Sequence, residues 1–436
     1  MRHLPLLSLA LLPTLVGAIS ITEAVHKTIE THPQIQMVKE DLNAEKKVLT
    51  QVKAGYLPSV DLAYNVGYEK TRTITNNRMT NSYNRHDATA TLTQPIFSGL
   101  STVYGVEQQN ALIISNDNKV KEKANDLALE ATTAYLEMLK NKEFLDIAKE
   151  NVDVHEKYLG QIKEKVDAGV GRSSDYKQTL SRYENAKSVY YLSEQNYENS
   201  IYNYQRILPD DITDGYLVKP AAGDLPAETL EGLVEMATKD NPTIHVSMAD
   251  IEAAQASVSR ACSSFYPTVD ARLQGFWDKN VNGVGTKTVP TPSAYNENDG
   301  WNALIVLNYN IFNGMYDKAR KEVNQHRVLK QASTLADAKR YVTANTSLAW
   351  YTFKSTKQQL VHIEKNMEAS AATVADYQEE NDLGRRSIID LLNIELEYNG
   401  AKNRKVTAEY DNLVAYYQIL SHTGKMLEVM NVVAEK

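Results

Sequence analysis

Between positions 120 and 166 apolar residues recur at alternating spacings of four and three. Ala124, Ala131, Met138, Leu145, Val152, Leu159 and Val166 fall seven apart, and Val120, Leu127, Ala134, Ala148 and Ile162 fill most of a second seam. That is the pattern of a helix packed in a coiled coil. No proline occurs between Pro95 and Pro209 or after Pro292. A first long helix is therefore predicted from about Gly99 to Ala168, roughly 100 Å at 1.5 Å per residue. The helix after it carries Tyr176, Tyr183, Tyr190, Tyr197 and Tyr204, again seven apart. A strict seven-residue repeat imposes supercoiling, and tyrosine suits a half-wet packing seam. An aromatic ligand track is the functional alternative to packing.

Elsewhere the period changes to two. Val60, Leu62, Tyr64, Val66 and Tyr68 alternate with Asp61, Ala63, Asn65, Gly67 and Glu69, and Ala88, Ala90 and Leu92 alternate with Asp87, Thr89, Thr91 and Thr93. Val269, Ala271, Leu273 and Trp277, then Trp301, Ala303, Ile305, Leu307 and Tyr309, repeat the pattern. Each set predicts a hairpin of strands about 10 residues long, enough to cross an outer membrane. A shorter helix, about Ile21 to Ala54, precedes the first. The stretches Thr71 to Asn84 and Asn280 to Asp299, rich in Asn, Thr, Gly and Pro, are expected as exposed connections. Alternation alone also fits a soluble sheet. An apolar face needs cover, however, and helices this long run away from it. Tyr64, Tyr68, Trp277, Trp301 and Tyr309 fit interfacial aromatic girdles. Four strands cannot close a barrel and lipid does not tolerate open edges. Closure needs at least about eight strands, so a dimer or trimer is the smallest consistent assembly.

The same series is written twice. Pro33, Ile35, Ala44, Pro58, Val60 and Asp61 match Pro242, Ile244, Ala253, Pro267, Val269 and Asp270 at an offset of 209. From Ile96, Phe97 and Gly99 to Tyr202 the offset is 215, matching Ile311, Phe312, Gly314 and so on to Tyr417. The two copies thus differ by one six-residue insertion between Pro267 and Ile311. It is expected at an exposed tip, making the second hairpin's connection the longer and leaving the helical walls equal. The resulting division is 19–208 for the first repeat, 209–229 for a linker, 230–424 for the second repeat and 425–436 for a tail.

Composition narrows the setting. Of 436 residues 23% are charged, and the mean hydropathy is -0.44, too polar for a helical membrane protein. Arg2 and His3 followed by an apolar run from Leu4 to Val16 and then Gly17-Ala18 read as a secretory leader over 1–18. Beyond it no stretch reaches the ~20 apolar residues of a spanning helix. Cys262 is the one cysteine, which excludes an intrachain disulfide and an N-terminal lipid anchor. A net charge of -8 argues against nucleic-acid partners. The nine histidines form no HExxH or triad spacing, and Gly169-Val170-Gly171 follows a helix where a phosphate loop follows a strand. No enzyme, cofactor or metal site is expected; His155 falls on a coiled-coil seam and reads as a packing residue.

Two pairs of motifs carry a family resemblance over essentially the whole mature chain. Gln94-Pro95-Ile96-Phe97-Ser98-Gly99 is echoed by Tyr309-Asn310-Ile311-Phe312-Asn313-Gly314 at the strand-to-helix junctions. Ala168-Gly169-Val170-Gly171-Arg172-Ser173-Ser174-Asp175 is echoed by Leu383-Gly384-Arg385-Arg386-Ser387-Ile388-Ile389-Asp390 at the helix turns. In these the sequence resembles the TolC family of outer-membrane efflux and secretion channels. The resemblance implies a mainly α protein with a membrane β-barrel. Long coiled-coil helices would form a periplasmic α-barrel, with a mixed belt at 209–229 and the tail after Lys425. It also implies a homotrimer, each chain giving four strands to a barrel of about 12. The duct would sit in outer-membrane lipid with a long periplasmic portion and be driven by an inner-membrane ABC transporter or proton-driven pump through a periplasmic adaptor.

Carried over by position, Arg386 and Asp390 occupy the family's constriction, Ser174 and Asp175 their counterparts on the outer helix pair, and Asn393 a second ring position. Asn393 departs from an often acidic residue, and Asn381 stands where an aromatic partner can occur. The adaptor would grip the turns at Gly169, Gly171, Arg172, Gly384 and Arg385. Simple capping is the other reading of Ser387 with Asp390, and of Ser173 with Asp175. For the whole chain, type I protein secretion leads. Multidrug or metal efflux by a proton-driven pump is the rival, and a pore-free coiled-coil adhesin the remote alternative.

Overall fold

The structure, a computed structural model, describes residues 19–75, 77–209, 217–280 and 297–432. The expected leader, the middle of the linker, most of the second hairpin's connection, where a longer loop is expected, and the end of the tail lie outside the described residues. Each copy contributes two short helices, a hairpin and two long helices. The first gives α1 (Ile21–Thr31), α2 (Pro33–Lys53), β1 (Ser59–Thr75), β2 (Asn77–Phe97), α3 (Ser101–Asp167) and α4 (Ser173–Ile207). The second gives α5 (Leu230–Asp240), α6 (Pro242–Cys262), β3 (Thr268–Lys279), β4 (Glu297–Asn308), α7 (Tyr316–Asp382) and α8 (Ile388–His422), followed by a short α9 (Met426–Val429). Corresponding helices have equal lengths: 67 residues for α3 and α7, 35 for α4 and α8. Among the described residues no helix is long and apolar enough to cross a membrane.

Two sequence expectations are corrected. The helix expected from Ile21 to Ala54 breaks at His32, whose extended backbone (ψ 129°) is what a residue before proline adopts. Pro33 then opens α2, where its missing N–H costs nothing, and the Nδ1 atom of His32 accepts from the amide of Gln34. Asn241 before Pro242 does the same for Thr243. Within the stretch Thr71 to Asn84, residues 71–75 and 77–84 are paired strand and not loop, with register continuing to Thr75 opposite Asn77. The first hairpin is therefore longer than about 10 residues per strand, at 17 and 21, whereas β3 and β4 have 12 each.

The chain divides into two compact units, each drawing on both copies. One comprises 40–118 and 245–336 and contains an antiparallel sheet in the order β1-β2-β3-β4. On β1, Val60, Leu62, Tyr64, Val66 and Tyr68 stand exposed, Leu62 by 81%, and on β4 so do Trp301, Ile305 and Leu307. Tyr64, Ala88 and Trp277 form one cross-strand row. This is an apolar sheet face with aromatic residues in register. Below it, polar contacts tie the helices: Ser115 donates to Asp250 at 2.6 Å, and Gln109 donates to the Glu45 carbonyl at 3.2 Å and to its carboxylate. The junction from β2 to α3 turns on two left-handed residues, Gly99 (φ 62°) and Leu100 (φ 67°), repeated as Gly314 (φ 72°) and Met315 (φ 71°).

The other unit comprises 19–39, 119–244 and 337–432 of the described chain. Its main core joins Leu127, Tyr135 and Met138 of α3 to Tyr204 of α4, Tyr410, Leu413 and Leu420 of α8, and Ile21 and Val25 of α1. The seam through Leu127, Ala134, Ala148, His155 and Ile162 is buried. Irregular chain after Leu217 is held by hydrogen bonds. The Tyr135 hydroxyl bonds the Ile19 carbonyl and both the amide and the carbonyl of Val218, and residues 19 and 217 form a parallel bridge. Burial pushes the Tyr135 phenol up to about 12. Lys219 reaches Glu143 at 3.0 Å and Glu409 at 2.7 Å, and Tyr410 donates to Glu143.

Two stability outcomes follow. A Cβ at Gly99 would lie 2.6 Å from the Ser263 carbonyl, whereas one at Gly314 meets nothing within 4 Å. Gly99→Ala is expected to cost about 3 kcal/mol and Gly314→Ala about 1 kcal/mol, measured by thermal unfolding in detergent; equal losses would refute the difference in packing. Tyr135→Phe strips the partner from buried backbone groups and is expected to cost about 1–3 kcal/mol, with faster proteolysis of the 209–229 stretch as the local readout.

Candidate functional site

The two turns between long helices lie in the same compact unit. Each closes its first helix with a Schellman motif. After α3, the amide of Gly169 bonds the Val166 carbonyl and that of Val170 the Lys165 carbonyl, both at 3.0 Å. After α7, Gly384 bonds Asn381 at 2.9 Å and Arg385 bonds Glu380 at 2.8 Å. The motif needs a left-handed residue at its fifth position, and Gly169 (φ 78°) and Gly384 (φ 71°) supply it. Gly171 is needed for space, since a Cβ there would lie 2.8 Å from the Val166 amide nitrogen. Val170 and Leu383 protrude beside the glycines, 81% and 63% exposed.

Past the glycines the copies diverge. Helix α4 opens on Arg172, which gives no side-chain cap; Ser173 and Ser174 are exposed. Ser174 donates to Asp175 at 3.2 Å, and Asp175 lies in the first turn, where its charge complements the helix dipole. The capping expected from Ser173 is absent, because the helix begins at Ser173 itself. Helix α8 is capped: the Asp390 amide donates to the Ser387 hydroxyl at 3.1 Å, and that hydroxyl donates to the Asp390 carboxylate at 2.7 Å. Ile388 is buried with Leu391 and Leu392 against Tyr158 and Ile162 of α3. The change from Ser173-Ser174 to Ile388-Ile389 thus separates two exposed opening residues from a docked one, although Tyr176 in the first turn of α4 packs against the same cluster.

Arg386 is held within its own turn. Its Nε donates to Glu380 at 2.8 Å, and its guanidinium lies 4.0 Å from the centre of the Tyr377 ring. The hydrogen bond to Glu380, outweighing desolvation, raises its pKa further. Asn381 donates to the Arg386 carbonyl at 2.7 Å, closing the turn that an aromatic side chain would leave open. Among the described residues neither Asp175 nor Asp390 makes an ion pair, and Arg386 pairs with Glu380.

Three contributors were missed by sequence reasoning. Arg182 of α4 donates to the Asn393 amide oxygen of α8 at 2.7 Å. Tyr158, buried and pushed up to about 12 by that burial, donates to Gln378 of α7 at 3.4 Å. Glu380 accepts from Arg386 at 2.8 Å; its spacing of six from Arg386 across a glycine turn is the signal the sequence offers. His155 is buried, its Nδ1 2.9 Å from the Asn151 carbonyl, and burial holds its pKa down. It is a packed seam residue. Among the described residues no cluster able to hold a metal occurs.

Comparison with known proteins agrees with this architecture. The model of the outer membrane efflux protein family matches residues 24–205 and 233–425. Outer membrane protein TolC of Vibrio cholerae is 21% identical over 446 residues, covering 98% of this chain and 96% of that protein. Outer membrane efflux protein BepC of Brucella suis is 19% identical over 417 residues, covering 93% and 86%. Among solved structures, the CmeC outer membrane channel of Campylobacter jejuni superposes with a TM-score of 0.79 at 12% identity, covering 93% of this chain and 86% of that one. Two matched segments, one per copy, span most of the sequence. The chain belongs to the outer membrane efflux protein family, the TolC family: it is a non-enzymatic outer-membrane channel of tripartite export systems, with a long periplasmic helical portion.

Proposed function

We propose that the chain forms a homotrimeric passive exit duct for type I protein secretion, opened at its periplasmic end when an adaptor contacts the helix turns. The observation that carries the duct is the sheet: four strands with one exposed apolar face and two open edges, β1 and β4. A sheet of that kind is stable in lipid only when its edges meet those of other copies. Channels of this family form trimers within tripartite pumps. Repeats 19–208 and 230–424 then supply matched walls, with 209–229 as the belt between them.

In this reading the adaptor grips Gly169, Gly171, Arg172, Gly384 and Arg385, beside the exposed Val170 and Leu383. Ser174, Asp175, Arg386, Asp390 and Asn393 form the gate. Glu380 and Tyr377 hold the Arg386 guanidinium, while Ser387 holds Asp390 at the helix start. Both side chains are preset by local contacts, so a threefold arrangement would present them in fixed positions. Export of protein through an ABC transporter is favoured over a drug pump because the chain's one cysteine, Cys262, sits at the end of α6; many drug-efflux channels are anchored by an N-terminal lipidated cysteine.

Two experiments test this. Arg386→Ser or Asp390→Ala is expected to raise single-channel conductance in planar bilayers several-fold with trimers intact, on the order of 1 kcal/mol of closed-state stabilisation lost per protomer; unchanged conductance would reject the gate. Deleting the gene is expected to retain a type I substrate inside the cell while resistance to dyes, drugs and metals holds. Sensitisation with secretion intact would assign the duct to a proton-driven pump instead.

A further inference from the structure

Arg182 and Asn393 sit on different copies of the duplicated unit. At an offset of 215, Arg182 corresponds to Glu397 and Asn393 to Gln178. Each copy therefore supplies one half of a donor–acceptor pair that neither contains alone. Arg182 lies nine residues into α4 and Asn393 five residues into α8, so the link crosses between helix pairs about 8–14 Å from the turns at 1.5 Å per residue.

The link is an exposed one at the border of a packed patch. Asn393 is itself exposed, and lies between Leu392, fully buried, and Ile394, partly buried against the same apolar cluster. Arg182 is half-buried, and its charge acts on the buried His155 of α3. The pair thus borders the patch where Ile388, Leu391 and Leu392 of α8 meet Tyr158 and Ile162 of α3. Asn151 to Asn399 at 2.9 Å and Glu150 to Lys402 at 2.7 Å continue the α3–α8 contact further along. A guanidinium donating to a neutral amide oxygen gains strength from its charge without the full desolvation cost of an ion pair.

We propose that Arg182 is a positioning residue of the gate. By donating to Asn393 it latches α8 to α4 within one protomer, and Asn393 acts as the acceptor of that latch, not as a ring residue facing the aperture. The inference rests on the gating reading above and deepens it. Rotation of α8 away from α4 breaks the hydrogen bond, so its strength sets how readily the tip opens. A carboxylate at 393 makes the latch tighter, whereas in a ring around the pore it alters cation binding.

The test is single-channel recording of detergent-purified full-length trimers in planar bilayers. Arg182→Ala is expected to raise the open fraction about two- to tenfold, the worth of one partly exposed charge-assisted hydrogen bond. Asn393→Ala is expected to match it from the other side, should Arg182→Ala fail to assemble. Asn393→Asp is expected to lower the open fraction in the native background and to have no effect alongside Arg182→Ala. The exchanged pair Arg182→Asn with Asn393→Arg is expected to return the channel toward native behaviour. An Asn393→Asp effect that persists without Arg182 places residue 393 in a pore ring and overturns the latch. So does Arg386→Ser opening the channel while Arg182→Ala and Asn393→Ala leave it unchanged, in which case the gate itself stands. If none of these variants alters conductance, the tip is no gate, and the latch falls with that reading.

Discussion

Backbone hydrogen bonding in lipid governs this protein more than any side-chain contact. A bilayer interior offers no water to an unpaired N–H or C=O, and the sheet of one chain ends on two strands, β1 and β4, whose outer edges have no partner within it. The apolar faces of those strands commit the sheet to lipid, and the open edges then forbid a lone chain there. Assembly is thus a condition of folding in the membrane and not a later elaboration. The helices inherit it, because β2 passes into α3 and β4 into α7 through paired left-handed residues, so the spacing of the strands fixes where each long helix begins.

Duplication gives such a wall two equivalent staves at the cost of one design. The long helices have equal lengths in the two copies. Where the copies need not agree they do not. The linker after Leu217 is fastened by Tyr135, Lys219 and their partners on α3 and α8, a polar clasp with no counterpart in the repeat pattern. There Lys219 loses hydration yet its pKa rises, because the hydrogen bonds it donates to Glu409 and Glu143 outweigh that loss.

What the sequence revealed divides by range. Heptad seams and alternating strands are local patterns, and Leu127, Ala134 and Ile162 on one hand and Leu62 and Tyr64 on the other lie where the patterns put them. Strand length was harder to read. Thr71 to Asn84 has the composition of a loop, yet residues 71–75 and 77–84 are paired, because a ladder is built from backbone groups and continues once two apolar strands have set its register. The break at Pro33 is legible in the proline itself, although the apolar series runs through it. The turn chemistry was half legible: glycines and the Ser387 cap announce themselves, whereas Arg182 and Asn393 stand 211 residues apart, and no local spacing pairs them.

The two turns are mechanically unequal, and under the proposed gating that decides where resistance to opening resides. The second is capped by Ser387, closed by Asn381, braced by Glu380 and Tyr377, and docked through Ile388. The first has its Schellman bonds but no side-chain cap, and its Ser173 and Ser174 face solvent. A turn braced as the second is moves as one body, because deforming it breaks several contacts within it at once while displacing it breaks only the docking of Ile388. Resistance then lies in what joins it to its neighbours: the apolar cluster on Tyr158 and Ile162, and the polar bonds at its border. Apolar contacts slide with little change in buried area, whereas a hydrogen bond is lost within an ångström or so. Under that proposal the polar border sets the threshold, and the cluster beneath it lets the helix move once that threshold is passed.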